Sequence, residues 1–201
     1  MKKSMLVCVL CLCVAGTASA ATVIDIQNAD FEADAAAAAA AGWTNGITDW
    51  TGGGCLAPST NSDGTFSWQN AGGYIQQQSV IDDLGNVIAV EAAQTVDITV
   101  DIAPAATNGS TGFRLEIWSY GGGLLGATDD IDITGQAGDE WQTYNLSISW
   151  TGAEVNPDGM NIAAYNASGQ LWTDNWSATV VPEPATMVLL GLGGLLLRRR
   201  K

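Results

Sequence analysis

The chain has 201 residues, no histidine, and 21 acidic residues against seven basic ones. Two basic residues stand at the N-terminus and four at the C-terminus. Between residues 22 and 181, Arg114 therefore faces twenty carboxylates, which leaves nineteen net negative charges. Such a body repels nucleic acid and anionic lipid. The body contains no histidine and no lysine, so it also lacks Ser-His and Cys-His nucleophiles, histidine zinc sites and Schiff-base lysines. Carboxylates are the groups that remain for acid–base chemistry.

The first twenty residues have the composition of a secretory signal peptide. Lys2 and Lys3 precede an apolar run over residues 5–14, and Ala18-Ser19-Ala20 forms a cleavage site. We therefore expect export through the Sec machinery and removal of residues 1–20. Three of the four cysteines leave with this peptide, so Cys55 remains without an internal disulfide partner.

The body, residues 22–180, reads as a series of short strands. Apolar and polar residues alternate over 94–102, 111–120 and 141–151, which is the pattern of strands with one face on a core. Turn residues recur about every ten positions, and no helical period appears between residues 43 and 181. We predict an all-β fold, an antiparallel β-sandwich. On its final strand, over 171–181, one face is expected to hold Trp172, Asp174, Trp176, Ala178 and Val180.

The last segment, residues 181–201, has three parts. Pro182-Glu183-Pro184 is stiff and extended because each proline fixes its own φ and restrains the residue before it. An uncharged run over 185–197 follows and is predicted to form a short hydrophobic helix. Thirteen residues span about 20 Å, less than the ~30 Å hydrocarbon core of a membrane. The basic stop, which favours the cytoplasmic side, comprises Arg198, Arg199, Arg200 and Lys201.

This three-part tail resembles the PEP-CTERM sorting signal of exported bacterial proteins. The resemblance implies recognition by an exosortase, an integral membrane protease-transpeptidase, with cleavage near Pro182-Glu183-Pro184. It also implies a precursor held in the inner membrane by the C-terminal segment, and a product at the cell surface or in the extracellular matrix. The alternative is an ordinary C-terminal membrane anchor.

The body carries a second resemblance, to carbohydrate-binding modules with a galactose-binding-like jelly roll. It rests on segments 26–32, 141–144 and 173–176, although Ala29 replaces a glycine and Trp176 a small apolar residue. In such folds a structural Ca²⁺ can join the first and last strands. By resemblance its ligands would be Glu32 and Asp174, with Asp30 as a third. The alternative is that these are hydrogen-bonded polar residues that close the sheet.

Aromatic residues suggest a sugar-binding face. Trp50, Trp68 and Trp118 are expected in loops or on solvent-facing strand positions, and Tyr120 lies beside Trp118. Their rings could stack on sugars as a Trp118–Tyr120 or a Trp50–Trp68 platform. The alternative is that tryptophans fill the core, which is their commoner position.

These observations predict an exported, non-catalytic surface or matrix protein. Its body would either bind polysaccharide or serve as a structural biofilm component without a small ligand. A glycoside hydrolase built on two carboxylates is the least favoured reading, because no motif singles out a pair. A binding module should present two or three exposed aromatic rings on one face, whereas a structural protein should bury or scatter them.

Overall fold

A computed structural model describes residues 21–34, 36, 40, 48–52, 55–58, 66–70, 73–91, 93–151, 156–166 and 168–181. The signal peptide, the PEP motif, the hydrophobic helix and the basic stop lie outside these residues. Among the residues described, no helix is long and apolar enough to span a membrane.

The described chain forms thirteen strands and one short 3-10 helix, Glu32–Asp34. In chain order the strands are β1 (Thr22–Asp25), β2 (Trp50–Gly52), β3 (Cys55–Pro58), β4 (Phe66–Asn70), β5 (Gly73–Gln77), β6 (Ile81–Asp82), β7 (Ala93–Pro104), β8 (Gly112–Ser119), β9 (Leu124–Ala127), β10 (Ile131–Asp132), β11 (Gln142–Thr151), β12 (Met160–Asn166) and β13 (Leu171–Val181).

These strands build two antiparallel sheets. One sheet has seven strands in the order β11–β7–β13–β1–β6, and the β3–β4 hairpin joins it through β13. The other has six strands in the order β10–β8–β12–β5–β2, with β9 paired to β8. The predicted all-β antiparallel sandwich is therefore confirmed. The strands β2, β6 and β10 have only two or three residues, too few to show an alternation in the sequence.

The core lies between the two sheets and follows the predicted alternation. In β7 the even-numbered side chains from Val96 to Ile102 are buried, and in β8 Leu115 and Ile117 are fully buried. Ile148 and Trp150 of β11 complete one end of the same cluster. Removing these side chains from water is the main stabilising contribution to such a domain.

A β-bulge in β13 overturns the prediction for the final strand. The pairing with β7 shifts between Asp174 and Ser177, and Asn175 adopts a left-handed φ of 50°. The extra residue reverses the side-chain alternation, as bulges do. Trp176 thus joins the core, whereas Trp172 packs in a small separate cluster on the opposite face. The register places Trp172 opposite Ala103, Asp174 opposite Asp101, Ala178 opposite Ile98, and Val180 opposite Val96.

Three aromatic rings fix the N-terminal loop to the sandwich. The Trp50 ring centroid lies 5.2 Å from that of Phe31 and 5.3 Å from that of Trp176. The Trp50 indole N–H donates to the backbone oxygens of Gln27, at 2.9 Å, and Asn28, at 3.2 Å. Trp50 is only 5% exposed. The expectation that it faces solvent is wrong, because β2 directs this ring into the core.

Candidate ligand-binding face

The outward side of the six-stranded sheet gathers aromatic, polar and charged side chains from β5, β8 and β12. On β8 the alternation that buries Leu115 and Ile117 turns the residues between and beside them outward. The register aligns Arg114 with Tyr165 and Trp118 with Asn161 of β12. We call this surface the Trp118 face, and it comprises Tyr74, Gln76, Arg114, Glu116, Trp118, Ala163 and Tyr165.

A groove of about 170 Å³ lies on this face, lined by Tyr74, Gln76, Glu116 and Trp118. Ala163 separates Gln76 of β5 from Glu116 of β8 in the pairing register. Its small side chain leaves space between the larger residues on both sides. Tyr74 is 48% exposed, and Trp118 is partly exposed. The groove therefore offers two rings for stacking and amide and carboxylate groups beside them.

Glu116 fixes the geometry of the groove. Glu116 is only 3% exposed, and both of its carboxylate oxygens accept hydrogen bonds. Oε1 accepts from Nε of Arg114 at 2.6 Å, and Oε2 accepts from the Trp118 indole N–H at 2.8 Å. The indole edge of Trp118 is thus tied down, which restrains the orientation of its ring.

Arg114 connects this network to Tyr165. Its guanidinium carbon lies 4.5 Å from the centroid of the Tyr165 ring, a cation–π geometry. Nη1 is 3.6 Å from Oδ1 of Asp130. The hydrogen bond to Glu116 is the largest cause that raises the pKa of Arg114, so the guanidinium stays charged. The positive charge of Arg114 is therefore engaged by groups of the protein itself.

The charge on Glu116 can be tested through stability. Glu116→Gln keeps the side-chain shape but leaves the half-buried Arg114 without its closest counter-charge. We expect a loss of about 1–2 kcal/mol in the free energy of unfolding, toward the low end of charged hydrogen bonds because Arg114 is partly solvated. Urea unfolding monitored by tryptophan fluorescence measures this change. Asp130→Asn, at a highly exposed partner of Arg114, serves as the control and should change stability by less than about 0.5 kcal/mol. Equal stability of Glu116→Gln and wild type would contradict the role given to Glu116.

A second cleft, of about 330 Å³, lies on the other side of the Arg114–Tyr165 pair. Asp130 and Asp132 bring carboxylates to it, and Tyr165 forms part of its wall. The Asp132 carboxylate accepts hydrogen bonds from the Thr134 side chain and backbone, and these lower its pKa, so it is ionised at neutral pH. The full lining is Thr111, Gly112, Phe113, Asp130, Ile131, Asp132, Thr134, Tyr165 and Ser168.

The structure separates the four aromatic residues proposed from the sequence. Trp118 lines the groove, whereas Tyr120 is 43% exposed but lies outside the lining of both clefts. Trp50 is in the core. The backbone of Trp68 pairs with Leu56 and Thr173, and its side chain is outside the described structure.

Sequence reasoning missed Tyr74, Gln76 and Tyr165 as members of the Trp118 face. Their strands are separated by tens of residues, and only the β5–β12–β8 register brings them together. The one available signal was Arg114, because a lone cation in an acidic body must be paired.

The structure does not assemble the three residues expected to bind calcium. Among the residues described, no three acidic side chains form a group that could hold a metal ion. Oδ2 of the buried Asp174 accepts a hydrogen bond from Ser67, and Oδ1 accepts one from the Asn175 backbone. Asp30 accepts the backbone N–H of Glu32. Calcium binding by Glu32, Asp174 and Asp30 therefore stays a prediction, which these hydrogen bonds do not test.

Solved structures with TM-scores above 0.5 share the fold at low sequence identity. A Stig cyclase, FisC from Fischerella sp. TAU, aligns with a TM-score of 0.53 and 16% identity over 82% of this chain and 100% of that one. An arabinose-bound α-L-arabinofuranosidase aligns with a TM-score of 0.54 and 16% identity over 83% of this chain. The chain matches only 27% of the length of that arabinofuranosidase. A carbohydrate-binding module from Cellvibrio mixtus lichenase 5A, in complex with cellotriose, aligns with a TM-score of 0.41 and 16% identity over 68% of this chain and 93% of that one.

Sequence comparison recognises the C-terminal segment. No curated protein matches the chain. Residues 180–201 match the PEP-CTERM protein-sorting motif, as the tail of the sequence predicted. The chain is therefore a β-sandwich protein that carries a PEP-CTERM sorting motif at its C-terminal end.

Proposed function

We propose that this is an exported surface protein whose body binds carbohydrate on the Trp118 face. The observation that carries the proposal is the grouping of Tyr74, Trp118 and Tyr165 on one side of one sheet. Aromatic rings offer apolar stacking surfaces, and Gln76 beside them offers an amide for sugar hydroxyls. Tyr74 is exposed and Trp118 and Tyr165 are partly exposed, so the grouping supports a binding module over a purely structural component.

The same face argues against carbohydrate hydrolysis. A glycosidase needs a general acid whose pKa is raised, together with a second carboxylate across the scissile bond. Among the described residues that line the groove, Glu116 is the one carboxylate, and both its oxygens accept internal hydrogen bonds. Asp132 in the second cleft has a lowered pKa, the opposite of what a general acid requires. The enzymes that share the fold do not alter this argument, because function resides in the site.

Sorting is the second part of the proposed function. Export by the Sec machinery would deliver the chain across the inner membrane, and the C-terminal segment would hold the precursor there. An exosortase would then cleave near Pro182-Glu183-Pro184 and release or transfer the body to the cell surface. The match of residues 180–201 to the sorting motif supports this course.

Replacing Trp118 by alanine tests the carbohydrate proposal directly. We expect the best glycan found in an array screen of the full-length protein, purified in mild detergent, to lose about thirtyfold in affinity. A loss of this size is about 2 kcal/mol, typical of a central aromatic contact. Titration calorimetry measures it.

Tyr120→Ala is the matched control, because this exposed ring lies outside both clefts. It should bind within twofold of wild type. Equal losses in the two variants would contradict the assignment of the groove. If no glycan binds wild type, a structural matrix component becomes the better description.

A further inference from the structure

The charges around the Trp118 face indicate which class of glycan it accepts. Arg114 is the one basic residue between residues 22 and 181. Its Nε donates to Glu116, and its Nη1 faces Asp130 at 3.6 Å. The face therefore has no cation to spare for the carboxylates of a uronate-containing polymer, which the acidic body also repels.

The second cleft supplies the opposite charge. The Asp130 side chain is 81% exposed, and its contact with Arg114 is long. Asp132 is also exposed, and hydrogen bonds from Thr134 keep it ionised. The negative charges of these two carboxylates are thus only weakly neutralised by groups of the protein. They lie in a cleft with Tyr165 as an aromatic wall. The same cleft contains the hydroxyl groups of Thr111, Thr134 and Ser168.

The groove and the second cleft lie along the same strand, β8, within reach of one polymer. Trp118 and Arg114 are four residues apart on β8, which corresponds to about 13 Å along a strand. Tyr165 is directly opposite Arg114 and lines the second cleft. A glycan chain stacked on Trp118 and extended along β8 therefore reaches Asp130 and Asp132 within a few sugar units.

We propose that the Trp118 face prefers a polysaccharide with free amino sugars over neutral or uronate-containing polymers. This proposal rests on the carbohydrate-binding function proposed above. Stacking on Trp118 and Tyr74 provides binding that neutral glycans share, and the protonated amines pair with Asp130 and Asp132. Exposed ion pairs contribute modestly, so two of them correspond to a preference of about five- to tenfold at low salt.

The experiment compares the binding of four carbohydrates to the full-length protein in detergent. The probes are soluble glucosamine oligomers, their fully N-acetylated counterparts, xylan oligomers and polygalacturonate. At 50 mM NaCl we expect the glucosamine oligomers to bind about five- to tenfold more tightly than the N-acetylated form, and polygalacturonate not to bind. At 500 mM NaCl the preference should fall below twofold because salt screens exposed charges.

A paired set of variants identifies the carboxylates responsible. Asp130→Asn/Asp132→Asn should abolish the preference yet leave the N-acetylated oligomers within twofold of wild-type affinity. Asp25→Asn/Asp97→Asn removes the same number of charges from the seven-stranded sheet and should retain the preference. Persistence of the preference in the first variant, its equal loss in both, or binding of polygalacturonate overturns the inference. Binding of neutral oligomers without any preference overturns the inference alone, whereas failure of all four probes overturns the carbohydrate proposal with it.

Discussion

Replacing Trp50 with alanine is expected to lower the free energy of unfolding by about 3–5 kcal/mol. The ring is buried between Phe31 and Trp176, so its removal leaves a cavity that the rigid sandwich cannot refill. It also removes the indole donor to the backbone oxygens of Gln27 and Asn28. For a domain of this size the expected fall in Tm is roughly 10 °C. Thermal unfolding followed by near-ultraviolet circular dichroism measures it.

Trp118→Ala is the natural control, because it makes the same change on the outer face of the sandwich. We expect it to cost less than about 2 kcal/mol, since the ring is partly exposed and contributes mainly one hydrogen bond to Glu116. Trp50→Ala should thus mainly lower the stability of the protein, whereas Trp118→Ala should mainly weaken glycan binding. A Trp50→Ala protein with the Tm of wild type would show that the aromatic cluster does not hold the N-terminal loop.

This contrast shows why the sequence alone could not predict which tryptophans are buried and which face solvent. Trp50 stands among glycine, threonine and aspartate in a segment with loop composition, and its strand has only three residues. Three residues cannot display a period of two. Trp50 packs against the fully buried ring of Phe31, a residue distant in the sequence with a left-handed φ of 58°. Tertiary contacts of this kind leave no local trace.

Long alternating segments were predictable because burial on one face sets the pattern over many residues. β7, β8 and β11 follow the sequence prediction closely, and the outward positions of Arg114 and Trp118 follow with them. The bulge in β13 was not predictable in the same way. One inserted residue reverses the facing of every residue beyond it, and only the pairing with β7 reveals where this occurs.

The candidate site depends on the same long-range register. Tyr74, Tyr165 and Arg114 form one row across three strands, although about ninety residues separate the first from the second. The sequence offered Trp118 as an outward ring, but its partner in the groove is Tyr74 rather than Tyr120. Glu116 occupies an outward position of β8, between the buried Leu115 and Ile117. It is nevertheless only 3% exposed, and its carboxylate accepts hydrogen bonds from Arg114 and Trp118.

Exchanging Pro182, Glu183 and Pro184 for alanines is expected to block processing while leaving export intact. The prolines restrict the backbone to extended conformations, and alanine would instead let the following apolar run continue as a helix toward the body. An exosortase that reads an extended motif outside the membrane would then lose its substrate. Full-length chain, with only the signal peptide removed, should accumulate in the membrane fraction. Immunoblots of fractionated cells with an antibody against the body measure both size and location.

Two controls make this result specific to sorting. Arg198→Lys/Arg199→Lys/Arg200→Lys preserves the charge of the basic stop, and we expect normal processing because Lys and Arg act alike on the cytoplasmic side. Wild-type chain in cells that lack the exosortase should accumulate at the same size as the alanine variant. An alanine variant that is processed like wild type would instead make residues 185–201 an ordinary anchor. The proposed path to the cell surface would then fail, although the carbohydrate-binding proposal would stand, because the Trp118 face lies wholly within the sandwich.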